Sequence, residues 1–448
     1  MSQTKAQLLG PLVADNIDIE GDLNFDSGTL KVDPTNDRVG INKGANAPEK
    51  TLDVGGDVQL ADLYLTADYP TIRPTLDLAF AQTKQLDSRI TFTRSSTATY
   101  VDENGIIQTA AVNTPRFDHD PVTGESLGLL IEESRTNLVT YNEDFSQSVW
   151  TKQNGFSITS NTAIAPDGTL TADTASRVNL NAEYLYQNLN TPAGTYTLSC
   201  WIKSVNASSS FSIISYSGVD GSQSSSFTAT NTWKRFSHTV TVSSTVTGFY
   251  PCIPSVSGEQ FYIWGAQFEQ GSFPTSYIPT SGSTVTRSSD IATITGTNFS
   301  SWYNQSESTI TSESIFKYAD AVLNPTIFYI GDGTTQNRLQ QFSTGLDRIN
   351  NRIVINSLNY SPGTITSLSL YNTTTKTALS FKDSTDEGIA IANGNDAQIS
   401  SALGTLSGVN QMHIGQYPGG LYHHSGTIKR LTYYPRRLNN SQLQNITL

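Results

Sequence analysis

From about residue 138 onward, apolar and hydroxyl-bearing side chains alternate in short runs. They include Tyr196-Thr197-Leu198-Ser199-Cys200-Trp201-Ile202, Phe211-Ser212-Ile213-Ile214, Lys234-Arg235-Phe236-Ser237-His238-Thr239-Val240 and Phe261-Tyr262-Ile263-Trp264-Gly265-Ala266-Gln267-Phe268. A two-residue period sends successive side chains to opposite faces of an extended strand, so each run predicts a strand with one face in a core and the other covered by Ser and Thr. The pattern restarts at Asp290-Ile291-Ala292-Thr293-Ile294 and continues in short strands to the C-terminus. The expected fold is all-β, with helix confined to short turns. Two consecutive β-sandwich (jelly-roll) domains are expected, at 138–287 and 288–448.

Upstream the pattern is weaker. Asn16-Ile17-Asp18-Ile19-Glu20-Gly21-Asp22-Leu23 aligns with Thr51-Leu52-Asp53-Val54-Gly55-Gly56-Asp57-Val58 at a period of 35, and each copy runs on into a second short strand, Thr29–Val32 and Leu63–Leu65. A unit this small buries little apolar surface, so it needs repeats or neighbouring chains for stability. Residues 1–75 therefore read as a β-repeat region for attachment and self-assembly, with a small monomeric β-domain as the alternative. Residues 76–137 read as a turn-rich connector.

Composition agrees with exposed β-structure. The 448 residues exceed what one core usually organises, and only 15% are charged while Ser, Thr, Asn and Gly abound. The net charge of −12 is uneven: residues 1–80 hold 6 basic and 13 acidic side chains, whereas 288–448 hold 10 of each. A phosphate footprint needs a basic stripe, so no nucleic-acid partner is expected. Cys200 and Cys252 are too few for a disulfide framework and are expected as buried thiols. No stretch approaches the ~20 apolar residues of a membrane span, so no membrane insertion is expected.

Four segments resemble proteins of tailed-phage virions. Val32-Asp33-Pro34-Thr35-Asn36-Asp37-Arg38-Val39-Gly40-Ile41, with Pro48 through Val54, resembles segments in the shafts and N-terminal parts of tail fibres. The most specific resemblance runs from Ile90-Thr91-Phe92-Thr93-Arg94 through Asn113-Thr114-Pro115-Arg116-Phe117 to Gly128-Leu129-Leu130-Ile131-Glu132-Glu133-Ser134-Arg135-Thr136-Asn137-Leu138, a block found in many phage and prophage virion proteins. Residues 138–287, ending in Trp264 through Thr280, resemble the jelly-roll carbohydrate-binding modules of phage tail proteins. Gly426 through Leu438, followed by Ser441-Gln442-Leu443, resembles the closing strand of concanavalin-like (laminin-G-like) sandwiches. The resemblance implies a virion protein, assembled in a host cytoplasm and displayed on the particle as a homotrimer. Its N-terminal region would meet other virion proteins, and its sandwiches would meet host-surface glycan or envelope. A capsid or baseplate decoration protein is the alternative, and a polysaccharide-degrading tailspike a third.

Candidate chemistry is sparse. Asp18 and Glu20 alternate as glucanase carboxylates do, but Asn16 stands where the first Glu belongs. No G-x-S-x-G elbow, HExxH, CxxC or EF-hand loop is present, so neither catalytic nor metal-ligating residues are assigned and no cofactor is expected; a structural Ca²⁺ at Asp332 or Asp383 stays open. Sugar binding requires an aromatic face and a few polar groups. Trp201 and Trp264 are candidates, although a tryptophan inside an alternating strand is more often core; Tyr216 and Tyr250 are weaker ones. The turn at Pro418-Gly419-Gly420 is expected to present Tyr417, Tyr422, His423 and His424 near a loop tip, the alternative being that Tyr422 caps the core and the histidines are solvated hairpin residues.

Overall fold

The computed structural model describes residues 72–448 apart from 178–182, 244–245, 318–323, 346, 361, 384–386, 396–397 and 402–403, together with four short strands nearer the N-terminus. The chain divides into two compact units, Met1–Thr66 and Ala67–Leu448. In the first, Leu23–Phe25, Leu30–Asp33, Arg38–Ile41 and Leu52–Val54 form a sheet in that order. The first three strands pair antiparallel and the fourth lies parallel to the third. The Arg38–Ile41 strand, between the two repeat copies, joins them. The expected strand residues 16–22 and 63–65, with Asp18 and Glu20, lie outside the described residues.

The second unit is all-β and holds two sandwiches. In the C-terminal one, a first sheet is built around Glu307–Phe316, Thr374–Lys382 and Gly426–Tyr434, and a second around Thr326–Gly331, Arg338–Ser343, Ile349–Ile355 and Gln411–Ile414. The segment 76–137, expected as a connector, supplies strands to both. Leu76–Leu78 and Ser126–Ile131 pair with Gly426–Tyr434, Phe117–His119 pairs with Ser126–Ile131, and Thr91–Thr93 pairs with Ile291–Thr295. Leu76, Leu78, Phe80, Leu129 and Ile131 are buried in one core with Phe328, Ile330, Met412 and Leu431. Strands of three or four residues look like turns because their partners lie hundreds of residues away.

The other sandwich is inserted between these strands. Its five-stranded sheet runs Ser157–Ala163, Ala172–Ser176, Gln260–Gln270, Gly194–Ser204, Lys234–Val242, and its three-stranded sheet runs Gly221–Thr230, Ser208–Ser217, Val246–Pro254. Every second residue points inward, and Phe145, Trp150, Leu198, Phe211, Phe249 and Phe268 close a separate core. The chain enters and leaves this module through one antiparallel ribbon, Arg135–Asn137 against Val285–Arg287.

Beside the ribbon the two sandwiches meet over buried charge. Asp290 accepts from Arg94 at 3.1 Å and also pairs with Arg116, while Glu132 pairs with Arg116 at 2.8 Å and Arg287 at 3.6 Å. Ser276 of the inserted module donates its N–H to Glu132 at 2.7 Å and its hydroxyl at 2.6 Å. Burial would raise the Glu132 carboxyl, but Arg287, Arg116 and the Ser276 hydrogen bonds outweigh it and hold it well below the usual carboxylate range. The most specific sequence resemblance therefore falls on a structural joint. The helices among the described residues are short, namely Phe80–Thr83, Gly296–Ser300 and Asn440–Thr447, the last opened by an Asn439/Gln442 capping box. No helix among the described residues is long and apolar enough to cross a membrane.

Candidate functional site

Trp264 is fully buried, and its indole N–H donates to Thr171 Oγ at 3.0 Å. Trp201 is boxed in: the Arg235 guanidinium lies 4.4 Å from its ring centroid, and Trp264 and Tyr277 pack against it at 5.5 and 5.4 Å. Both tryptophans lie on the face of the five-stranded sheet turned away from the module's own core, and they wall the joint rather than offer a stacking face. His423 and His424 correct the loop-tip expectation in the same way. They are 5% and 0% exposed, not solvated, because the loop turns back into the Gly426–Tyr434 strand. His424 packs on Phe316 at 4.3 Å, and its Nε2 lies 3.3 Å from the Thr427 carbonyl. Tyr417 and Tyr422 do lie together near the surface, with ring centroids 5.9 Å apart and Tyr422 45% exposed.

A larger aromatic group lies elsewhere, on the outer face of the three-stranded sheet. Along Ser208–Ser217 the odd-numbered residues from 209 are buried, which turns Ile214 and Tyr216 outward. Ile214 pairs with Tyr250, and Tyr216 with Gly248. A Cβ on Gly248 would come within 2.8 Å of the Tyr250 ring, so the missing side chain lets that ring lie back along its own strand. From the neighbouring strand, Tyr184 meets Tyr250 edge-on at 5.8 Å and Tyr186 meets it at 5.0 Å. Arg177 lies over Tyr184 at 5.5 Å. Tyr184, Ile214, Tyr216, Ser222, Tyr250 and Ile253 line a hollow of ≈ 270 Å³. That is just below the ~300 Å³ at which ligand pockets usually start.

Burial first, then the neighbouring Tyr186, Tyr184 and Tyr216 hydroxyls, push the Tyr250 phenol up. It is a neutral donor and acceptor around neutral pH, suited to sugar hydroxyls and not to proton transfer. Alternation named Tyr216 and Tyr250. Tyr184 and Tyr186 went unnoticed, although Tyr-Leu-Tyr at a period of two is the same signal.

Other cavities carry less. A cleft of ≈ 660 Å³ by the ribbon is lined by Glu133, Arg135, Thr195, Tyr196 and Gln270. Its cation is paired with Glu133, and Tyr196 is buried against Phe268 at 5.1 Å. Among the described residues no three His, Cys, Asp or Glu side chains gather as a metal site. Asp332 instead organises its own turn, accepting from Thr334 N–H at 2.8 Å and Asn337 at 3.2 Å. Asp383 accepts from Thr405 at 3.2 Å. Cys200 and Cys252 are buried free thiols, and burial pushes Cys200 up to about 12.

No protein-family model and no curated protein matches the chain. Solved structures with similar parts include the carbohydrate-binding module CBM40 of Ruminococcus gnavus IT-sialidase bound to α2,3-sialyllactose, at TM-score 0.29 and 14% identity over 32% of this chain and 84% of that one. The NanB sialidase from Streptococcus pneumoniae matches at TM-score 0.30 and 12% identity over 35% of this chain, which spans 26% of the sialidase. A SAP-like pentraxin from Limulus polyphemus matches at TM-score 0.24 and 15% identity, over 32% of this chain and 70% of that one.

Proposed function

We propose that this chain is a non-enzymatic structural protein of a tailed-phage virion, a tail fibre or related appendage, that binds host-surface glycan through the tyrosine hollow of its inserted sandwich. The carrying observation is the convergence of Tyr184, Tyr186, Tyr216 and Tyr250 on a sheet face whose opposite side is a packed core. Tyrosines supply rigid faces for pyranose stacking and hydroxyls for its polar edge. Single-site affinity of this kind is weak, and a homotrimer on the particle exterior raises it by multivalency. The N-terminal unit carries assembly and attachment to other virion proteins.

The test is titration of the whole chain against neutral oligosaccharides from host surface polysaccharide. Tyr250→Ala should weaken binding about tenfold or more with an unchanged melting temperature, and Gly248→Val should do the same by displacing the ring. Equal binding by wild type and both variants overturns the site. Mass measurement in solution should give three times the 48.6 kDa chain.

A further inference from the structure

The second sheet of the C-terminal sandwich turns one face to the core and the other away from it, and on that far face Tyr329, Arg338, Gln340 and Phe342 are closely packed and buried while Arg352 and Tyr417 are partly exposed. On the far face, register places His413 beside Tyr329, Tyr329 beside Gln340 and Gln340 beside Arg352, with Arg338 two residues along from Gln340. The Arg352 guanidinium lies over the Phe342 ring at 4.6 Å, and that of Arg338 over the Tyr417 ring at 5.8 Å. Tyr417 is braced edge-on by Tyr329 at 5.1 Å.

Arg338 and Arg352 share the lack of a counter-charge on one sheet face. Most described arginines in this acidic chain hold a carboxylate: Arg94 and Arg116 on Asp290, Arg287 on Glu132, Arg430 on Asp77, Arg437 on Glu387. Arg338 donates only to neutral oxygens, Nε to Gln340 at 3.2 Å and one terminal nitrogen to the Thr335 carbonyl. Neither Arg338 nor Arg352 has a carboxylate within ion-pair distance among the described residues. Burial and then the charge of Arg338 lower the Arg352 guanidinium, so each cation is a cost to the other. The partly exposed fork of Arg352, with the remaining terminal nitrogen of the buried Arg338 behind it and an aromatic ring beside it, matches a planar oxyanion on a ring-shaped ligand.

We propose that this face is a second saccharide site, selective for sugars bearing a carboxylate, which bridges Arg338 and Arg352 while the sugar ring rests on Tyr417 and Tyr422. The proposal rests on the reading of the chain as a saccharide binder, but on different residues from the tyrosine hollow. Galacturonate trisaccharide, its methyl ester and inorganic phosphate are the probes, titrated calorimetrically against the whole chain at low salt, where charge attraction is least screened. The acid should bind at least tenfold more tightly than the ester, the scale of a charge-assisted hydrogen bond. Arg352→Gln should weaken the acid about tenfold or more and leave the ester unchanged, with Arg352→Lys intermediate because it keeps charge but loses the fork.

Tyr250→Ala should leave acid binding intact. Equal affinity for acid and ester, no binding of the acid, or displacement of the acid by phosphate at equal concentration overturns the carboxylated-sugar site. If Arg352→Gln misfolds, the ratio of acid to ester on wild type alone decides. Binding of the acid with no neutral sugar bound would leave this site standing and remove the tyrosine hollow.

Discussion

His413, His423 and His424 are buried in the C-terminal sandwich, and burial pushes each imidazole down to about 4 from an ordinary value of 6.5. Between those values the unfolded chain takes up protons that the folded chain refuses. Their contribution to stability is therefore complete above about pH 6.5 and is lost as pH falls through the window toward 4. Thermal melts should show a lower Tm at pH 5 than at pH 7.5, and His413→Gln, at the most exposed of the three sites, should flatten part of that slope. A pH-independent Tm across this range would contradict the burial of these rings. Glu132 acts in the same direction at lower pH, since its carboxyl is held below its ordinary value. Glu132→Gln leaves Arg116 and Arg287 buried beside a neutral amide and should cost about 3–5 kcal/mol in urea unfolding. A cost under ~1 kcal/mol, the range of exposed pairs, would show that the joint is solvated.

At the scale of elements, the strands of the inserted module were legible because each alternates strongly. The four runs read from sequence fall within Gly194–Ser204, Ser208–Ser217, Lys234–Val242 and Gln260–Gln270. Gly221–Thr230 escaped notice because it is an edge strand with Ser at four of its ten positions and little to bury. Gly128 shows what pattern alone misses. It sits at φ +90° in a bulge where the strand comes so close to Ile428 that a Cβ would lie 2.8 Å from that carbonyl carbon. Gly128→Ala should break the pairing of Ser126–Ile131 with Gly426–Tyr434, read as lost amide protection in both strands by hydrogen exchange. Trp264→Ala should cost about 3–5 kcal/mol with saccharide affinity unchanged, whereas a selective loss of binding would return that residue to the site.

For the whole molecule, the insertion predicts how the chain can be cut. Residues 288–448 alone lack the strands contributed by 76–131 and the core side chains Leu76, Leu78, Phe80, Leu129 and Ile131, so they should not fold. A chain in which a short turn replaces 138–284 should fold, because the ribbon ends are adjacent and the two cores are separate. Circular dichroism and dispersed amide spectra separate these outcomes, and a folded 288–448 fragment would contradict the topology. What the sequence determined by itself was local: all-β architecture, the strongly alternating strands and the candidacy of Tyr216, Tyr250, Tyr417 and Tyr422 follow from a two-residue period and turn residues, which act over a few positions. Which strands share a sheet, that Trp201 is packed against the joint and the His423–His424 pair faces inward, and that Arg338 and Arg352 stand together without an acid among the described residues were decided only in the tertiary structure. Those facts depend on contacts between residues far apart in the chain, and no local periodicity encodes the partner.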